Sequence, residues 1–539
     1  MTSSANPVVA INQEFFHQQR GDKKMKKWMI AAFAAVLLMS CRQTSVPEQY
    51  TESNMMPKIY PEYFDVTVPV NIAPLSFELL LIVDDMVTRF SAEGDDIVCS
   101  GVKVCPDIDE WKSLTEKAKG KDINVEVFAK KDGKWLRFKP FAIHVSPDSI
   151  DAYLSYRLIS PSFVAYEELT LNQRCLENYD EQVMVDNMLC STESGGQCVN
   201  CHNYQQYNPD RMQFHARQNL GGTVIVYDGK VEKVDMKTDS LISAGVYPSW
   251  HPSLPIIAYS TNKTMQSFHT TDINKIEVLD SESDLVVYDV EHHEVTSIEK
   301  GRDEFEIFPF WAPDGKYLYF CSAHFEYEND SVDAVEVTMR AKELKYNIYR
   351  KAFNPDNRTF GERELVFDAA AMDKSATLPR ISPDGRWLLF TLGEWGCFHI
   401  WHRDADLWMI DLMNAGDSGL SEERGDAGIS GSAMPADGIN SDNTDSYHSW
   451  SSNGKWVVFS SRRNDGVFTR PFIAHFDGKG GFSKPFELPS KNPDYHRQLL
   501  KSYNVPELMR GPVTHTPQEF ADVLKSPGTP VKYVSRLRK

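Results

Sequence analysis

The sequence contains no apolar run long enough to cross a membrane. A spanning helix needs about 20 apolar residues, whereas the run inside residues 25–41 (MKKWMIAAFAAVLLMSC) has roughly a dozen. Basic residues are outnumbered by acidic ones, 57 to 76, and the formal net charge is −19. Because binding of nucleic acid requires that phosphates be neutralised, this charge argues against a nucleic-acid partner. A Gly-x-Ser-x-Gly elbow, which many hydrolases use, is absent as well.

Residues 25–41 resemble a bacterial lipoprotein signal. Two lysines precede the apolar run, which ends in Leu38-Met39-Ser40-Cys41. The resemblance implies that Cys41 is lipidated, that Met25 is the true start and that residues 1–24 are an upstream artefact. The alternative is an ordinary buried apolar segment. We expect a protein of the cell envelope, held to the membrane only by lipid, at the periplasmic face of the outer membrane, with surface exposure left open.

Cysteine is scarce, with nine residues, yet two stand beside a histidine in GGQCVNCHNY (195–204). Cys-x-x-Cys-His is the attachment signature of c-type haem. Cys198 and Cys201 would form two thioethers with the porphyrin, and His202 would ligate the iron. The motif therefore predicts one covalent haem c.

Three other interpretations of this motif are open. A zinc site could use Cys190, Cys198, Cys201 and His202, but it lacks a second ordinary ligand pair. A redox-active dithiol would favour a βαβ setting, which the surrounding sequence does not predict. A structural disulfide would leave the histidine without a role.

The second axial ligand is expected in NPDRMQFHARQNLGG (208–222). If this segment is a strand, alternation places Met212 on the core face, and His215 with Arg217 on the other face. There His215 could reach the iron and Arg217 could bond a haem propionate. If the segment is a helical turn, Met212 and His215 share one side and either could ligate. We favour His215 over Met212; an open site or a remote ligand is the remaining alternative.

The C-terminal half of the chain is repetitive. Four segments each place a turn between two apolar strands: YPSWHPSLPIIAYSTN (247–262), FPFWAPDGKYLYFCSA (308–323), LPRISPDGRWLLFTLG (378–393) and YHSWSSNGKWVVFSSR (447–462). The Asp-Gly and Asn-Gly pairs are typical of hairpin turns in which both central residues adopt positive φ. Repeats of this length predict four-stranded units that form a β-propeller over residues 218–500.

The N-terminal half has a different pattern. Polar residues 42–58 are typical of a tether. Short alternating runs in residues 59–175 predict a small β-sandwich-like domain, with one helix at 107–119 capped by Asp107 or Asp109. With 539 residues, two or three domains are expected.

The PDG-centred repeats resemble the TolB-type propeller repeats of bacterial envelope proteins. Together with the lipobox, the β domain and GGQCVNCH, they are similar to haem-containing TolB-like lipoproteins of Bacteroidetes-type bacteria. The resemblance implies a mainly β chain. It consists of the sandwich-like domain, a haem c attachment segment at 176–217, the TolB-like propeller, and a C-terminal tail at 501–539 that packs on the body.

These features predict electron transfer by a monohaem c-type cytochrome lipoprotein, with the propeller as the docking surface for a redox or envelope protein partner. The alternative is a propeller that binds ligands or proteins, or senses gas or redox state, around a structural haem. An enzyme is not favoured. The GDSG stretch at 416–419 lies in a Gly/Ser/Asp-rich insertion typical of a flexible loop.

Two further clusters contain chemically versatile side chains. His399 and His402 are three residues apart, which on a strand places them on opposite faces and argues against a metal pair. Arg462, Arg463 and Arg470 lie close together in sequence. They are expected either to pair with acidic side chains or to form an anion pocket.

We expect Cys41→Ser to abolish acyl labelling and to release the protein from membranes, because each buried CH₂ of an acyl chain contributes about 0.8 kcal/mol to anchoring. Radiolabelled fatty acid and membrane fractionation measure both effects. Cys99→Ser is the control and should leave anchoring unchanged. Undiminished membrane retention of Cys41→Ser would contradict lipidation at this residue.

Overall fold

The structure, a computed structural model, describes residues 45–161, 168–190, 197–329, 331–413 and 433–538. The predicted lipidation site Cys41 and the GDSG stretch at 416–419 lie outside these residues. The chain from Pro47 to Lys539 forms one compact unit. It is mainly β, as the sequence predicts. Among the described residues, no helix combines the length and the apolar character needed to cross a membrane.

The N-terminal part of the unit contains ten strands and one helix. The strands are β1 Thr51–Glu52, β2 Ile59–Tyr60, β3 Val66–Pro69, β4 Phe77–Leu79, β5 Asp85–Ala92, β6 Asp95–Ser100, β7 Lys103–Val104, β8 Asp122–Lys131, β9 Lys134–Arg137 and β10 Phe141–Ser146, and helix α1 is Ile108–Lys117. One sheet has the order β1-β9-β8-β10-β3, with β5 pairing β8 and β6. A smaller sheet has the order β2-β4-β7.

Helix α1 confirms the helix predicted at 107–119. The Asp107 carboxylate caps it by accepting hydrogen bonds from the N–H groups of Asp109 and Glu110. Trp111 is fully buried, and its indole N–H donates to the Ile72 carbonyl over 3.1 Å. The helix therefore covers one face of the N-terminal core.

The rest of the unit contains strands that pair mostly antiparallel with their neighbours. They are β11 Tyr153–Ile159, β12 Thr170–Cys175, β13 Glu181–Asp186, β14 Val199–Tyr204, β15 Met212–Ala216, β16 Gly222–Tyr227, β17 Lys230–Asp235, β18 Gly245–Trp250, β19 Ile256–Phe268, β20 Ile276–Asp289, β21 Glu294–Glu299, β22 Glu304–Trp311, β23 Tyr317–His324, β24 Asn347–Asn354, β25 Thr359–Phe367, β26 Ser375–Ile381, β27 Trp387–Gly393, β28 Asp406–Asp411, β29 Met434–Pro435, β30 Asp445–Trp450, β31 Trp456–Ser461, β32 Arg470–His475, β33 Phe486–Glu487, β34 Ser502–Met509, β35 Thr529–Pro530 and β36 Lys532–Tyr533.

Short helices connect some of these strands. The α-helices are α2 Ala334–Met339, α3 Tyr495–Gln498 and α4 Pro517–Lys525, and the 3-10 turns are Asn187–Leu189, Gln205–Tyr207, Gln218–Leu220, Ala341–Glu343, Ala370–Met372 and His399–Trp401. The Thr516 side chain caps α4 in a capping box with Glu519. Because His399 begins the 3-10 turn His399–Trp401, the strand alternation used to argue against a metal pair at His399 and His402 does not apply.

Six strands, each at the edge of an antiparallel group and called the first strands below, contact one another in a closed cycle, in the order β14, β18, β22, β26, β30, β34 and back to β14. Strands β18 and β22 belong to the same nine-stranded sheet. Strand β34 lies near the C-terminus but pairs antiparallel with β11. The sheet β13-β12-β11-β34 is therefore assembled from distant parts of the chain. This cyclic order is what a propeller requires; the TolB-like propeller itself stays a prediction.

The turns inside the repeats differ from those expected. Only the glycines adopt positive φ, 71° at Gly315 and 77° at Gly385, so the expected pair of left-handed central residues is wrong. The Asp314 carboxylate instead accepts the N–H of Lys316 over 2.9 Å. The Gly315 N–H donates to the Ala312 carbonyl over 2.8 Å. The hydrogen bond to the Asp314 side chain therefore stabilises this turn, which has one left-handed residue instead of two.

We expect Gly315→Ala to destabilise the protein more than Gly385→Ala. Both glycines have left-handed φ, which costs alanine about 1–2 kcal/mol. A Cβ at Gly315 would lie 2.6 Å from the His251 ring, whereas a Cβ at Gly385 has no neighbour within 4 Å. The clash should add about 1–3 kcal/mol. Urea denaturation followed by circular dichroism measures the difference, and equal midpoints would contradict it.

Candidate functional site

A cavity of about 290 Å³ lies at the centre of the cycle of first strands. Residues from all six of these strands line it, with Arg157 and Ile159 from β11 and Arg217 after β15. Its volume is close to the lower end of the range typical of ligand pockets, roughly 300–1,000 Å³. The cavity is therefore a candidate site for a small molecule.

Each first strand reaches the cavity through the same irregularity. A register shift interrupts all six pairings at equivalent places, for example between Asn200 and Asn203 in β14. One residue in each bulge has a left-handed backbone, with φ between 46° and 55°: Cys201, Tyr247, Phe308, Leu378, Tyr447 and Val505. All six line the cavity. A bulge redirects a side chain, so these repeats set the shape of the site.

The predicted attachment motif lies in this arrangement as a strand. Cys198 comes just before β14, and Cys201 is its left-handed bulge residue. Both cysteines line the cavity together with His202. Burial raises the pKa of Cys201, which the charges of Arg217 and Arg157 oppose only in part, so the thiol is protonated at neutral pH. The structure thus brings the two thiols and the imidazole to one site.

His202 occupies a position that is proline in most of the other first strands. Its counterparts are Pro248, Pro309, Pro379, His448 and Pro506. It is 2% exposed, and burial together with the charge of Arg157 lowers its pKa to about 3. Neither ring nitrogen has a hydrogen-bond partner of acceptable geometry among the described residues. The imidazole is therefore neutral, and its ring nitrogens are orphaned buried polar atoms.

His448 shows what the same position does elsewhere. Its Nε2 lies 3.0 Å from the carbonyl oxygen of Leu389, in the neighbouring sheet. Near His202, the groups that correspond to the Leu389 carbonyl are the backbone carbonyls of Ser155 and Val505. Both act to raise the pKa of His202. The repeat therefore accounts for the location of the His202 side chain between two sheets.

The two residues expected as second axial ligand do not line the cavity. Met212 is fully buried in an apolar cluster with Phe214. His215 is also buried, and its Nδ1 lies 3.3 Å from Thr223 Oγ1; burial lowers its pKa to about 3. Arg217 does line the cavity. The structure thus brings Arg217, but neither Met212 nor His215, to the predicted attachment motif.

Two cavity arginines were missed by the sequence interpretation. Arg157 Nη2 donates to Asn504 Oδ1 over 2.7 Å, and Arg380 Nη2 lies 3.7 Å from Glu507 Oε1. Arg380 stands where the other repeats have Ser249, Phe310 and Ser449. Arg157 interrupts the largely apolar strand β11. A charged residue that breaks a repeat or an apolar run was the signal that could have indicated them.

The alternatives to haem receive no support from side-chain clustering. Within the described ranges, no group of three or more His, Cys, Asp or Glu side chains is arranged to hold a metal ion. The eight cysteines that the structure describes are free thiols. His402 Nε2 lies 2.6 Å from Glu277 Oε2, while His399 Nδ1 contacts Thr377 Oγ1 at 2.8 Å. Each of these imidazoles thus has a partner of its own.

Comparisons with known proteins give only distant likenesses. No family model matches the chain, and no curated protein matches it. A puromycin-hydrolysing peptidase of Mycobacterium tuberculosis is similar with 11% identity and a TM-score of 0.34, covering 79% of this chain and 57% of that one. Prolyl oligopeptidase B from Galerina marginata is similar with 10% identity and a TM-score of 0.34, covering 74% and 52%.

A DUF4784 family protein from Bacteroides caccae is also similar, with 7% identity and a TM-score of 0.28, covering 84% of this chain and all of that one. The chain spans about half the length of the two peptidases it matches. At these TM-scores the likeness transfers no activity to this chain.

The function expected from the sequence is corrected by these findings. Both electron transfer by a monohaem cytochrome and the alternative of a propeller module around a structural haem are contradicted. Three of the similar structures are named as peptidases and none of the three as a cytochrome. Cys201 and His202 stand at a bulge that recurs in all six first strands. The recurrence of this bulge accounts for part of the motif without a redox role, and this is the physical reason for the error.

We expect His202→Pro to fold, because four counterparts of His202 are proline. The folded state keeps this imidazole neutral down to pH about 3, while the unfolded chain takes up the proton below its usual value of 6.5. Lowering the pH through this interval therefore destabilises the wild type, and the variant should lose less stability. Urea midpoints at neutral pH and at pH about 4 measure this. His448→Pro, whose pKa is also lowered to about 3, is the matched variant; failure of His202→Pro to fold would contradict the equivalence.

Proposed function

We propose that the protein binds a small molecule that bears carboxylate groups in its central cavity. The observation that supports this is the convergence of Arg157, Arg217 and Arg380 on one cavity, where Glu507 is the only acidic side chain among the described lining residues. The planar fork of arginine matches a carboxylate with two parallel hydrogen bonds. The three arginines come from different sheets, so they can surround a ligand.

The charge balance of the cavity favours an anion. Burial raises the pKa of Glu507, and the nearby Arg380 opposes this shift. A carboxyl group that is harder to ionise offsets less of the arginine charge. Walls of low dielectric strengthen the remaining attraction for an anion. Among the described residues that line the cavity, three arginines therefore accompany a single carboxyl group.

Uncharged groups would orient the rest of the ligand. Asn200 and Asn203 offer amides, and Tyr247, Phe308 and Tyr447 offer aromatic rings around the same cavity. A few polar groups among aromatic side chains are typical of small-molecule sites. The asparagines suit hydroxyl or carbonyl groups of the ligand, and the rings suit a planar or apolar part.

Haem c is a specific proposal for the occupant alone, and it revives neither the electron transfer nor the gas or redox sensing that is contradicted above. The donor set fits it: Cys198 and Cys201 line one cavity, and the buried ring nitrogens of His202 are orphaned. These two thiols would hold the porphyrin, His202 would face the iron, and Arg217 would bond a propionate. When attached, the group would supply an iron centre. Its propionates are carboxylates, so the same arginines would serve haem or a free carboxylic acid.

Calorimetric titration with citrate and succinate at constant ionic strength tests the anion site. We expect the wild type to bind at least one of them. Arg217→Met should weaken binding about 10- to 100-fold, because it removes a charge-assisted hydrogen bond worth roughly 1.5–3 kcal/mol. Arg386→Met is the control, since Arg386 pairs with Asp411 outside the cavity, and it should bind as the wild type does.

The source of the carboxylate is tested on protein matured in a host that attaches c-type haem. Colour that resists acid-acetone extraction and disappears in Cys198→Ser and Cys201→Ser would identify haem as the occupant. Colourless protein that binds citrate or succinate would identify a free carboxylic acid. Colourless protein that binds neither, or Arg217→Met that binds as well as the wild type, would overturn the proposal.

A further inference from the structure

Arg462, Arg463 and Arg470 are close in sequence, but the structure gives them different surroundings. Arg463 Nη2 pairs with the Asp445 carboxylate over 2.8 Å. Arg470 donates from Nη2 to the carbonyls of His496 and Leu499 over 2.6 and 2.8 Å. The Nε and Nη2 atoms of Arg462 are buried and have no hydrogen-bond partner among the described residues. Of these three arginines, only Arg462 has such unsatisfied donors.

The surroundings of Arg462 hold its side chain in place. The residue is 2% exposed, and its guanidinium carbon lies 3.2 Å from the centroid of the Trp401 ring. Its backbone N–H donates to the Thr444 carbonyl over 3.0 Å, and its own carbonyl accepts the N–H of Gly466 over 2.8 Å. Backbone bonds and ring stacking thus fix a guanidinium whose in-plane edge is unsatisfied.

This guanidinium is charged at neutral pH. Burial lowers its pKa to about 9, and Asp465 opposes the shift. Asp465 uses one carboxylate oxygen, Oδ1, to accept the N–H groups of Val467 and Phe468 over 2.7 and 2.8 Å. A buried charge without a hydrogen-bonded counterion destabilises a protein. An anion bound from solution would remove that penalty.

The location of Arg462 relates it to the central cavity. The backbone N–H of Arg217 donates to the Cys198 carbonyl, and the backbone N–H of Arg462 donates to the Thr444 carbonyl. The two arginines therefore occupy equivalent positions in different sheets. Arg217 lines the cavity, whereas Arg462 does not. Trp401 belongs to the apolar cluster that includes Cys198. The Arg462 position is therefore distinct from the cavity.

We infer that Arg462 is a second anion-binding site, which takes a compact oxyanion such as a phosphate or carboxylate group. Stacking on Trp401 occupies one face of the guanidinium. Nε and Nη2 remain as two parallel donors along one edge, the arrangement that binds two oxygens of one oxyanion side-on. The inference does not depend on what occupies the central cavity.

Thermal unfolding in phosphate and in chloride at equal ionic strength tests the site, and acetate in place of phosphate distinguishes the two oxyanions. For the wild type we expect phosphate, acetate or both to raise the midpoint by about 1 °C or more relative to chloride. In Arg462→Met this shift should be lost. The midpoint of the variant in chloride should equal or exceed that of the wild type, because a buried unpaired charge is replaced by an apolar side chain of similar length.

Two controls make the outcome decisive. Arg89→Met removes an exposed arginine that pairs with Asp96 and should keep the anion-dependent shift. Arg386→Met changes an arginine that pairs with Asp411 outside the cavity and should keep it too. The inference is overturned if neither anion shifts the wild type, if the shift persists in Arg462→Met, or if that variant unfolds at a lower temperature in chloride, which would indicate a partner within the chain.

Discussion

The pairing of β34 with β11 is the contact on which the rest of the structure depends. It joins Ser502–Met509 to Tyr153–Ile159 and completes a sheet from strands that are more than 300 residues apart. Without it, the cycle of first strands would be open between β30 and β14, and Arg157 would not be held by Asn504. Pairing of strands so far apart in the chain costs loop-closure entropy, but this cost grows only slowly with loop length. The many antiparallel pairings around the cycle can therefore offset the cost.

The repeated bulge sets what the central cavity can contain. Six residues with left-handed backbone turn toward the same space, and five of them are Tyr247, Phe308, Leu378, Tyr447 and Val505. Cys201 takes the sixth place. A thiol is smaller than these side chains, so β14 leaves more room than the other strands do. The cysteine at this position therefore has a packing consequence as well as a chemical one.

Buried ionisable groups concentrate where the sheets meet. Burial lowers the pKa of His202 and His448 to about 3, and it raises the pKa of Glu507. Arginine is the exception, because Arg462 keeps its charge even with its pKa lowered to about 9. Positive charge therefore persists in the cavity and at Arg462 at neutral pH, while these two histidines are neutral. This asymmetry is the physical basis for assigning anions to both places.

Local sequence patterns determined much of this protein. Alternating apolar residues and turn signals predicted a mainly β chain, Asp107 and Trp111 predicted helix α1, and the repeats predicted the positions of paired strands. The close spacing of Cys198, Cys201 and His202 also ensured that they would share one region. Only the tertiary structure decided that Arg157 and Arg380 converge on one cavity, that Met212 and His215 face elsewhere, and that His202 stands where other strands have proline. Strand formation depends on neighbours in sequence, whereas the composition of a central cavity depends on register and closure between strands that lie far apart in the chain.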